Sequence, residues 1–292
     1  MGCLNSTGQF EHWFANIHFS GPCNRACYFC IGQHMMALDS LNNLDTWPLK
    51  NLDEFIQACK ERDISEINLT GSNTDPLLYR HISKLHDYLE HHIPNLVLGV
   101  RTNGVRAVSI ATEESHVWRA FDKVSISLHS IDPTIYRKMM GVGVPPNLGQ
   151  IMSMSYDKEI KINIVLCPEN TQGTHIYDMI CKFDELIERL KFGGLDVNLR
   201  EPYGQPHVGN PFEELLPVGY LYGMPQYRFE NVIVTYWDVH YVEVESVNLY
   251  ANGIISTDYP ITRGHDPIYG QVLDQSHFPR SGRQQEQWIN RQ

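Results

Sequence analysis

The stretch KVSISLHSIDPTIYRKMMG, residues 123–141, sets the fold of this chain. Its first part, KVSISLHS, alternates polar and apolar side chains, and this period of two predicts a β-strand over residues 123–130. Asp132 can cap the N-terminus of a helix, and Pro133 suits its first position, so a helix is predicted from Pro133 toward Met140. A strand followed directly by a helix is the repeating unit of a parallel α/β fold.

The same alternation of strand and helix extends on both sides of this stretch. Strands are predicted at residues 13–19, 66–71, 95–104, 161–167 and 195–201, and helices from Asn51 or Asp53 to about Arg62, then at 76–92, 110–120 and 174–191. About six units precede residue 201, fewer than the eight of a closed barrel. We therefore predict an α/β fold in which residues 1–205 form a partial (β/α)6 TIM-like barrel.

The remainder of the chain, residues 206–292, has a different pattern. Residues 232–256 alternate as strands do and contain an Ala-Asn-Gly turn at 251–253. This pattern predicts an antiparallel hairpin or small sheet packed on the barrel. We expect a β-rich C-terminal extension that closes the substrate side.

Charge and hydropathy limit the partners and the location. The 292 residues carry a net charge of −11, from 34 acidic and 23 basic side chains, which argues against duplex nucleic acid as a partner. The sequence has no run of 18 apolar residues, so we expect no membrane span. Residues 1–20 lack the apolar segment of a signal peptide, and we expect a cytoplasmic protein whose thiols stay reduced.

A cysteine motif lies in FSGPCNRACYFCIGQH, residues 19–34, where Cys23, Cys27 and Cys30 have CxxxCxxC spacing. Three thiolates from one short loop can bind three irons of a [4Fe–4S] cluster and leave the fourth iron without a protein ligand. An open coordination position marks a reactive metal site. A Cys3His zinc site is the alternative, with His34 or His18 as the fourth ligand. A disulfide would leave one of the three thiols unpaired.

These motifs resemble those of the radical S-adenosylmethionine (SAM) superfamily, and within it the branch of the GTP cyclase of molybdenum-cofactor biosynthesis. The resemblance runs from about residue 13 to residue 201. It is carried by CNRACYFC (23–30), LTGSNTDPLL (69–78, similar to TGGEPLL), RTNG (101–104, similar to TNG), VSISLHSIDPTIYRKMMG (124–141) and KINIVLCPENT (161–171). Each motif follows the strand on which the family has it.

The resemblance implies a [4Fe–4S] cluster and SAM as cofactors. One electron, from a donor such as flavodoxin or ferredoxin, then cleaves SAM to a 5′-deoxyadenosyl radical that takes a hydrogen atom from a small-molecule substrate. Cys23, Cys27 and Cys30 would bind the cluster. The implied contacts to the cofactors are Phe29, Gly71, Ser72, Asn73, Asp75, Thr102, Asn103, Ser125, Ser127, Arg137 and Asn163.

The chain departs from the cyclase at three places. Gly-Gly-Glu of the family is replaced by the longer Gly71-Ser72-Asn73-Thr74-Asp75. His129 stands where that cyclase has an aspartate in its fourth strand. No cysteine follows Cys181, so the second cluster, which holds GTP in that cyclase, cannot be formed. We therefore expect a different reaction from that of the molybdenum-cofactor enzyme.

Strand parity suggests further site residues, because residues i and i+2 share a face. Ser125, Ser127 and His129 share one face, and we expect His129 to contact the substrate or SAM. Asn163 and Cys167 likewise share one face of the following strand, which places Cys167 near the cofactor. Cys167 is then either buried filler or a hydrogen-atom donor to a substrate radical. Asn198 and Arg200 are predicted to bind the substrate, although an ion pair between Arg200 and Glu201 would explain the arginine equally well.

The function favoured by these patterns is a radical SAM enzyme of a biosynthetic pathway whose substrate is a small metabolite. A nucleoside, nucleotide or sugar-like substrate is favoured because residues 202–270 are rich in aromatic side chains that could stack on a base. The rival interpretations are a peptide- or tRNA-modifying radical SAM enzyme and a non-catalytic zinc-binding interaction protein.

Overall fold

The strands that the structure describes all lie in one sheet. The computed structural model describes residues 13–35, 41–203, 207–238 and 246–257. The strands are β1 (Phe14–Phe19), β2 (Glu66–Gly71), β3 (Val97–Thr102), β4 (Lys123–Ser127), β5 (Glu159–Val165), β6 (Leu195–Arg200), β7 (Gly219–Leu221), β8 (Met224–Phe229), β9 (Val232–Trp237), β10 (Ser246–Leu249) and β11 (Ile255–Ser256). Their order is β11-β10-β1-β2-β3-β4-β5-β6-β9-β8-β7. The sheet ends at β11 and β7, so the predicted partial barrel is confirmed and the sheet stays open.

Helices connect the parallel strands. They are α1 (Gly32–Met35), α2 (Leu52–Lys60), α3 (Ile82–His92), α4 (Ala107–Glu113), α5 (Ser115–Arg119), α6 (Pro133–Met140), α7 (Leu148–Ser153) and α8 (His175–Leu190). The cap predicted for α6 is confirmed, because the Asp132 carboxylate accepts the backbone N–H groups of Thr134 (2.7 Å) and Ile135 (3.0 Å). No helix of the described ranges is both long and apolar enough to cross a lipid bilayer.

The two faces of the sheet differ in polarity. In β4, Val124 and Ile126 are fully buried against the helices, whereas Ser125 and Ser127 are half-buried on the inner face. This alternation follows from the two-residue period of a strand. The apolar face forms the core with the helices, and the inner face is left to polar side chains.

The predicted arrangement of residues 232–256 was only partly right. The hairpin is confirmed, since β10 and β11 are antiparallel and flank residues 251–253. However, β9 pairs in parallel with β6, and β10 pairs in parallel with β1. The two strands extend opposite edges of the barrel sheet instead of packing on it, because alternation predicts a strand but not its partner. The predicted domain boundary between residues 205 and 206 falls outside the described residues.

Two predicted helices are interrupted. The one predicted at 76–92 is a 3-10 turn at Pro76–Leu78 followed by α3, because the Asp75 carboxylate caps the turn at Leu77 N (2.9 Å) and Tyr79 is extended. The one predicted at 110–120 is split into α4 and α5. Helices α1 and α7 were not predicted, being only four and six residues long.

Candidate cofactor and substrate site

The three motif cysteines follow β1 on one surface loop. Cys23 is exposed, while Cys27 and Cys30 are partly buried. Burial, followed by the neighbouring sulfurs of Cys30 and Cys23, raises the pKa of Cys27 to about 12. Burial also raises the pKa of Cys23. Three thiolates in this loop therefore need the positive charge of a metal centre to balance them, as an iron–sulfur cluster provides.

The donor set fits a cluster better than a single ion. Within the part of the chain that the structure describes, no three His, Cys, Asp or Glu side chains converge to hold one metal ion. In a cubane each thiolate binds a different iron, so convergence on one point is not required. His18, one of the two candidate zinc ligands, is buried with both ring nitrogens engaged: its ring stacks on Tyr250, and its nitrogens contact Asn248 Oδ1 (3.3 Å) and Ser72 Oγ (3.4 Å). The His34 side chain lies outside the described residues.

The loop after β2 braces the cysteine loop. The Asn73 side-chain oxygen accepts hydrogen bonds from Ser20 Oγ (2.9 Å) and Gly21 N (3.0 Å). Thr74 Oγ1 donates to the Pro22 carbonyl (2.7 Å). A Cβ at Gly32 would collide with the Ser72 carbonyl, and one at Gly71 with the Thr74 carbonyl. Both glycines are thus required for the close approach of the backbones.

Asp75 links three segments of the site. Its buried carboxylate accepts Thr102 Oγ1 (2.9 Å), Asn103 N (2.6 Å) and Leu77 N (2.9 Å). Burial raises the pKa of Asp75, against the effect of these hydrogen bonds. Asn103 in turn donates to Asn24 in the cysteine loop (2.6 Å). The geometry shows that Asp75, Thr102 and Asn103 act as structural braces, and their contact with SAM stays a prediction.

Helix α6 packs its C-terminal end on the cysteine loop. Ala26 N donates to the Met140 carbonyl (3.0 Å), and Arg25 Nε donates to Tyr136 Oη (3.1 Å). Arg137, a predicted cofactor contact, is exposed on this helix. The structure does not bring its side chain into contact with the other predicted site residues.

The polar residues predicted on the inner face lie side by side. Ser127 is in register with Asn163, and Asn163 with Asn198. Asn198 Nδ2 donates to Asn163 Oδ1 at 3.3 Å. Ser125 lies on the same inner face, two residues before Ser127 on β4. Arg200 follows at the strand end, its guanidinium 5.6 Å from the ring of Trp237.

His129 is held as a neutral ring. The Val165 N–H donates to His129 Nδ1 (2.9 Å), so the ring carries its proton on Nε2. Burial lowers the pKa of His129 to about 3. Its ring meets Phe29 of the cysteine loop edge-on at 4.8 Å. At neutral pH His129 can donate a hydrogen bond from Nε2, but the ring is not an imidazolium and cannot act as a cationic general acid.

Cys167 lies beside a tyrosine of the cysteine loop. The thiol is buried, and burial raises the pKa of Cys167 to about 11, while its hydrogen bond with Tyr28 lowers it. Tyr28 Oη donates its proton to Glu169 at 2.6 Å. Sequence reasoning missed Tyr28 and Glu169, although Tyr28 stands between two motif cysteines and Glu169 two residues after Cys167.

Two cations of the inner face were also missed. Arg101 and Lys161 are each in register with Ser125, so they flank it in one layer. Arg101 lies over Phe14 at 5.6 Å. In the described ranges no carboxylate lies within ion-pair distance of Arg101. Lys161 is in register with Asp196, whose pKa is raised by burial and lowered by the charge of Lys161. Strand parity could have found Arg101, because it shares a face with Asn103.

Glu201 lies near Cys167 and orders the segment that follows β6. Its carboxylate accepts Val208 N and Gly209 N (both 2.8 Å) and Tyr236 Oη (2.7 Å). These bonds give Glu201 a structural role at the mouth of the inner face, independent of any pairing with Arg200.

Comparison with known proteins places this architecture in a family. The model of the radical SAM superfamily matches residues 17–180, more than half of the chain. A protein of Thermococcus kodakarensis named "Probable GTP 3′,8-cyclase" is 25% identical over 168 residues, 56% of this chain and 50% of that protein. Proteins of the same name from Sulfolobus acidocaldarius and Methanococcus aeolicus are 28% and 23% identical, over 54% and 63% of this chain and 48% and 61% of theirs. The chain thus spans about half to three fifths of the length of these relatives.

The chain belongs to the radical SAM superfamily. It is a radical SAM enzyme, and a [4Fe–4S] cluster and SAM are its cofactors. The predicted resemblance to the GTP cyclase branch is confirmed. Family membership rules against the non-catalytic zinc-binding interpretation.

Proposed function

We propose that this enzyme abstracts a hydrogen atom from a small anionic metabolite, of nucleoside, nucleotide or sugar-like type, in a biosynthetic pathway of the cytoplasm. Bound at the cysteine loop through Cys23, Cys27 and Cys30, the cluster and SAM would supply the 5′-deoxyadenosyl radical. The rest of the site belongs to this chain: it binds and orients the substrate and keeps water from the reacting atoms.

The observation that carries the proposal is the pair of cations on the inner face. Arg101 and Lys161 flank Ser125, one layer below the row Ser127, Asn163 and Asn198. Asp196 lies beside Lys161, so this layer has two cations for one carboxylate, and Arg101 has no carboxylate partner among the described residues. A partly enclosed cation without such a partner is unfavourable, and a bound phosphate or carboxylate would compensate it. The row of hydroxyl and amide groups above could orient the ribose or sugar hydroxyls of the same molecule.

An aromatic group at the edge of the inner face supports a ring-shaped substrate. Trp237 lies 6.0 Å from Tyr222, and Arg200 lies over its indole. The indole N–H of Trp237 is buried, and no acceptor among the described residues bonds to it. An acceptor atom on a substrate would satisfy this donor. A base or sugar stacked here would reach both Trp237 and Arg200.

His129 and Cys167 are assigned to the reaction itself. The neutral His129 ring donates a hydrogen bond from Nε2 and fixes a carbonyl, hydroxyl or ribose oxygen. Cys167 gives the hydrogen atom of its S–H bond to the substrate carbon radical, which forms a C–H bond and leaves a thiyl radical. One electron from the carrier that also reduces the cluster and one proton from solvent then restore the thiol.

Anaerobic purification and a two-variant comparison test this function. The reconstituted wild-type protein is expected to be brown, with about four irons per chain, and to form 5′-deoxyadenosine from SAM under dithionite. Arg101→Gln with Lys161→Met should keep this cleavage and abolish its stimulation by anionic metabolites. A colourless protein with one zinc, or stimulation that survives in the double variant, would overturn the proposal.

A further inference from the structure

We propose that the exposed surface where α6 meets the cysteine loop is the docking surface for a small acidic one-electron carrier protein. This donor surface consists of Arg25, Ala26, Arg137, Lys138, Val142 and Val144. The inference rests on the proposed radical function, which requires one-electron reduction of the cluster, and it assigns the place where that electron arrives.

The charge of the donor surface is opposite to that of the chain. Residues 20–35 and 133–156 contain Arg25, Arg137 and Lys138 and not one aspartate or glutamate, in a chain whose net charge is −11. Two acidic proteins repel each other at long range, so a productive encounter needs a local patch of the opposite sign. These two segments provide it.

The fold holds the two segments together. Ala26 N donates to the Met140 carbonyl (3.0 Å), and Arg25 reaches the Val144 carbonyl (3.5 Å). At Gly141, which ends α6 with a φ of +79°, a Cβ would lie 2.8 Å from the Ala26 carbonyl oxygen. The glycine therefore permits the contact that joins the helix end to the cysteine loop.

The composition of the donor surface suits a transient protein partner. Val142 and Val144 are 49% and 59% exposed. Arg137 and Lys138 are exposed beside them on α6. An apolar centre with a charged rim is typical of a protein contact surface.

The cations are available for such a partner. Among the residues that the structure describes, no carboxylate pairs with Arg137 or Lys138. Asp132, the nearest acid in the sequence, caps the opposite end of α6, and Glu169 accepts the hydroxyl of Tyr28 in the cysteine loop. Exposed Cys23 places one cluster ligand at the protein surface on the same loop.

The test compares two sources of electrons for one reaction. Formation of 5′-deoxyadenosine from SAM is measured with dithionite and, separately, with reduced flavodoxin and reduced ferredoxin as the acidic carriers. The variant Lys138→Glu, at a position without a predicted role in cofactor binding, should lower kcat/KM for the carrier by about threefold or more at low salt, and leave the dithionite rate unchanged. Raising the salt should reduce the wild-type carrier rate and affect the variant far less.

A matched charge reversal elsewhere provides the control. Lys60→Glu changes the net charge equally at an exposed position of α2 and should leave the carrier rate near that of the wild type. Equal loss in both variants, no loss in Lys138→Glu, or a wild type that neither carrier reduces would overturn the donor surface. A wild type that cleaves no SAM even with dithionite would overturn the proposed function as well.

Discussion

Asn73→Ala is the substitution that most directly tests how the cysteine loop is held. The Asn73 oxygen accepts Ser20 Oγ at 2.9 Å and Gly21 N at 3.0 Å, so alanine removes both bonds at once. Each such bond contributes about 1 kcal/mol, and leaving the donors buried can add to the loss. We expect a decrease of about 2 kcal/mol in the free energy of unfolding, or roughly 4–8 °C in Tm.

The assay follows stability and cluster retention together. Urea unfolding of the apoprotein gives the loss of free energy, and the decay of the iron–sulfur absorbance in the presence of a chelator gives the rate of cluster release, which should increase. Asn73→Asp is the matched control, since a carboxylate oxygen can still accept both bonds. If Asn73→Ala unfolds at the wild-type urea concentration and releases its cluster at the wild-type rate, the bracing role of Asn73 is refuted.

Three further predictions concern the same site. Gly32→Ala should prevent stable cluster binding, because its Cβ would collide with the Ser72 carbonyl, whereas Gly193→Ala, where a Cβ meets nothing within 4 Å, should bind iron normally. His129→Gln should reduce the acid sensitivity of the fold. Burial holds the pKa of His129 in the folded wild type at about 3, below the ordinary value of 6.5, so the unfolded state gains protons first as the pH falls through 6.5. At pH 5 the wild type should therefore lose about 2 kcal/mol of unfolding free energy relative to the variant, as measured by urea unfolding. Cys167→Ala should still cleave SAM but no longer deliver solvent-derived deuterium to the product in heavy water, and deuterium incorporation equal to the wild type would rule out the thiol as donor.

The elements of the barrel could be predicted from sequence because each has its own local signal. The alternation in 123–130 and the Asp132–Pro133 cap were enough to predict β4 and α6, and both are present. The cysteine spacing predicted the cluster loop in the same way. Local pattern carries this information because the two-residue and 3.6-residue periods are properties of single elements.

The pairing of distant segments could not be predicted in this way. Strands β9 and β10 form hairpins with their neighbours β8 and β11, but their parallel partners β6 and β1 are far away in the sequence. For the same reason the bracing bonds of Asp75 to Thr102 and Asn103, and the exposed position of Arg137, could not be predicted, while the cofactor contacts of both residues stay predictions. Which hydrogen bonds a carboxylate already makes is known only once the loops around it are placed.

The pairing of β10 with β1 has a consequence for how the chain matures. The strand that leads into the cysteine loop obtains its second neighbour, and the Asn16–Asn248 side-chain bond of 2.8 Å, only from residues 246–249. A nascent polypeptide shorter than this has an open edge on its first strand, which can recruit a strand from another molecule. Insertion of iron and sulfide is therefore best timed after translation of the late strand, when the frame of the loop is complete.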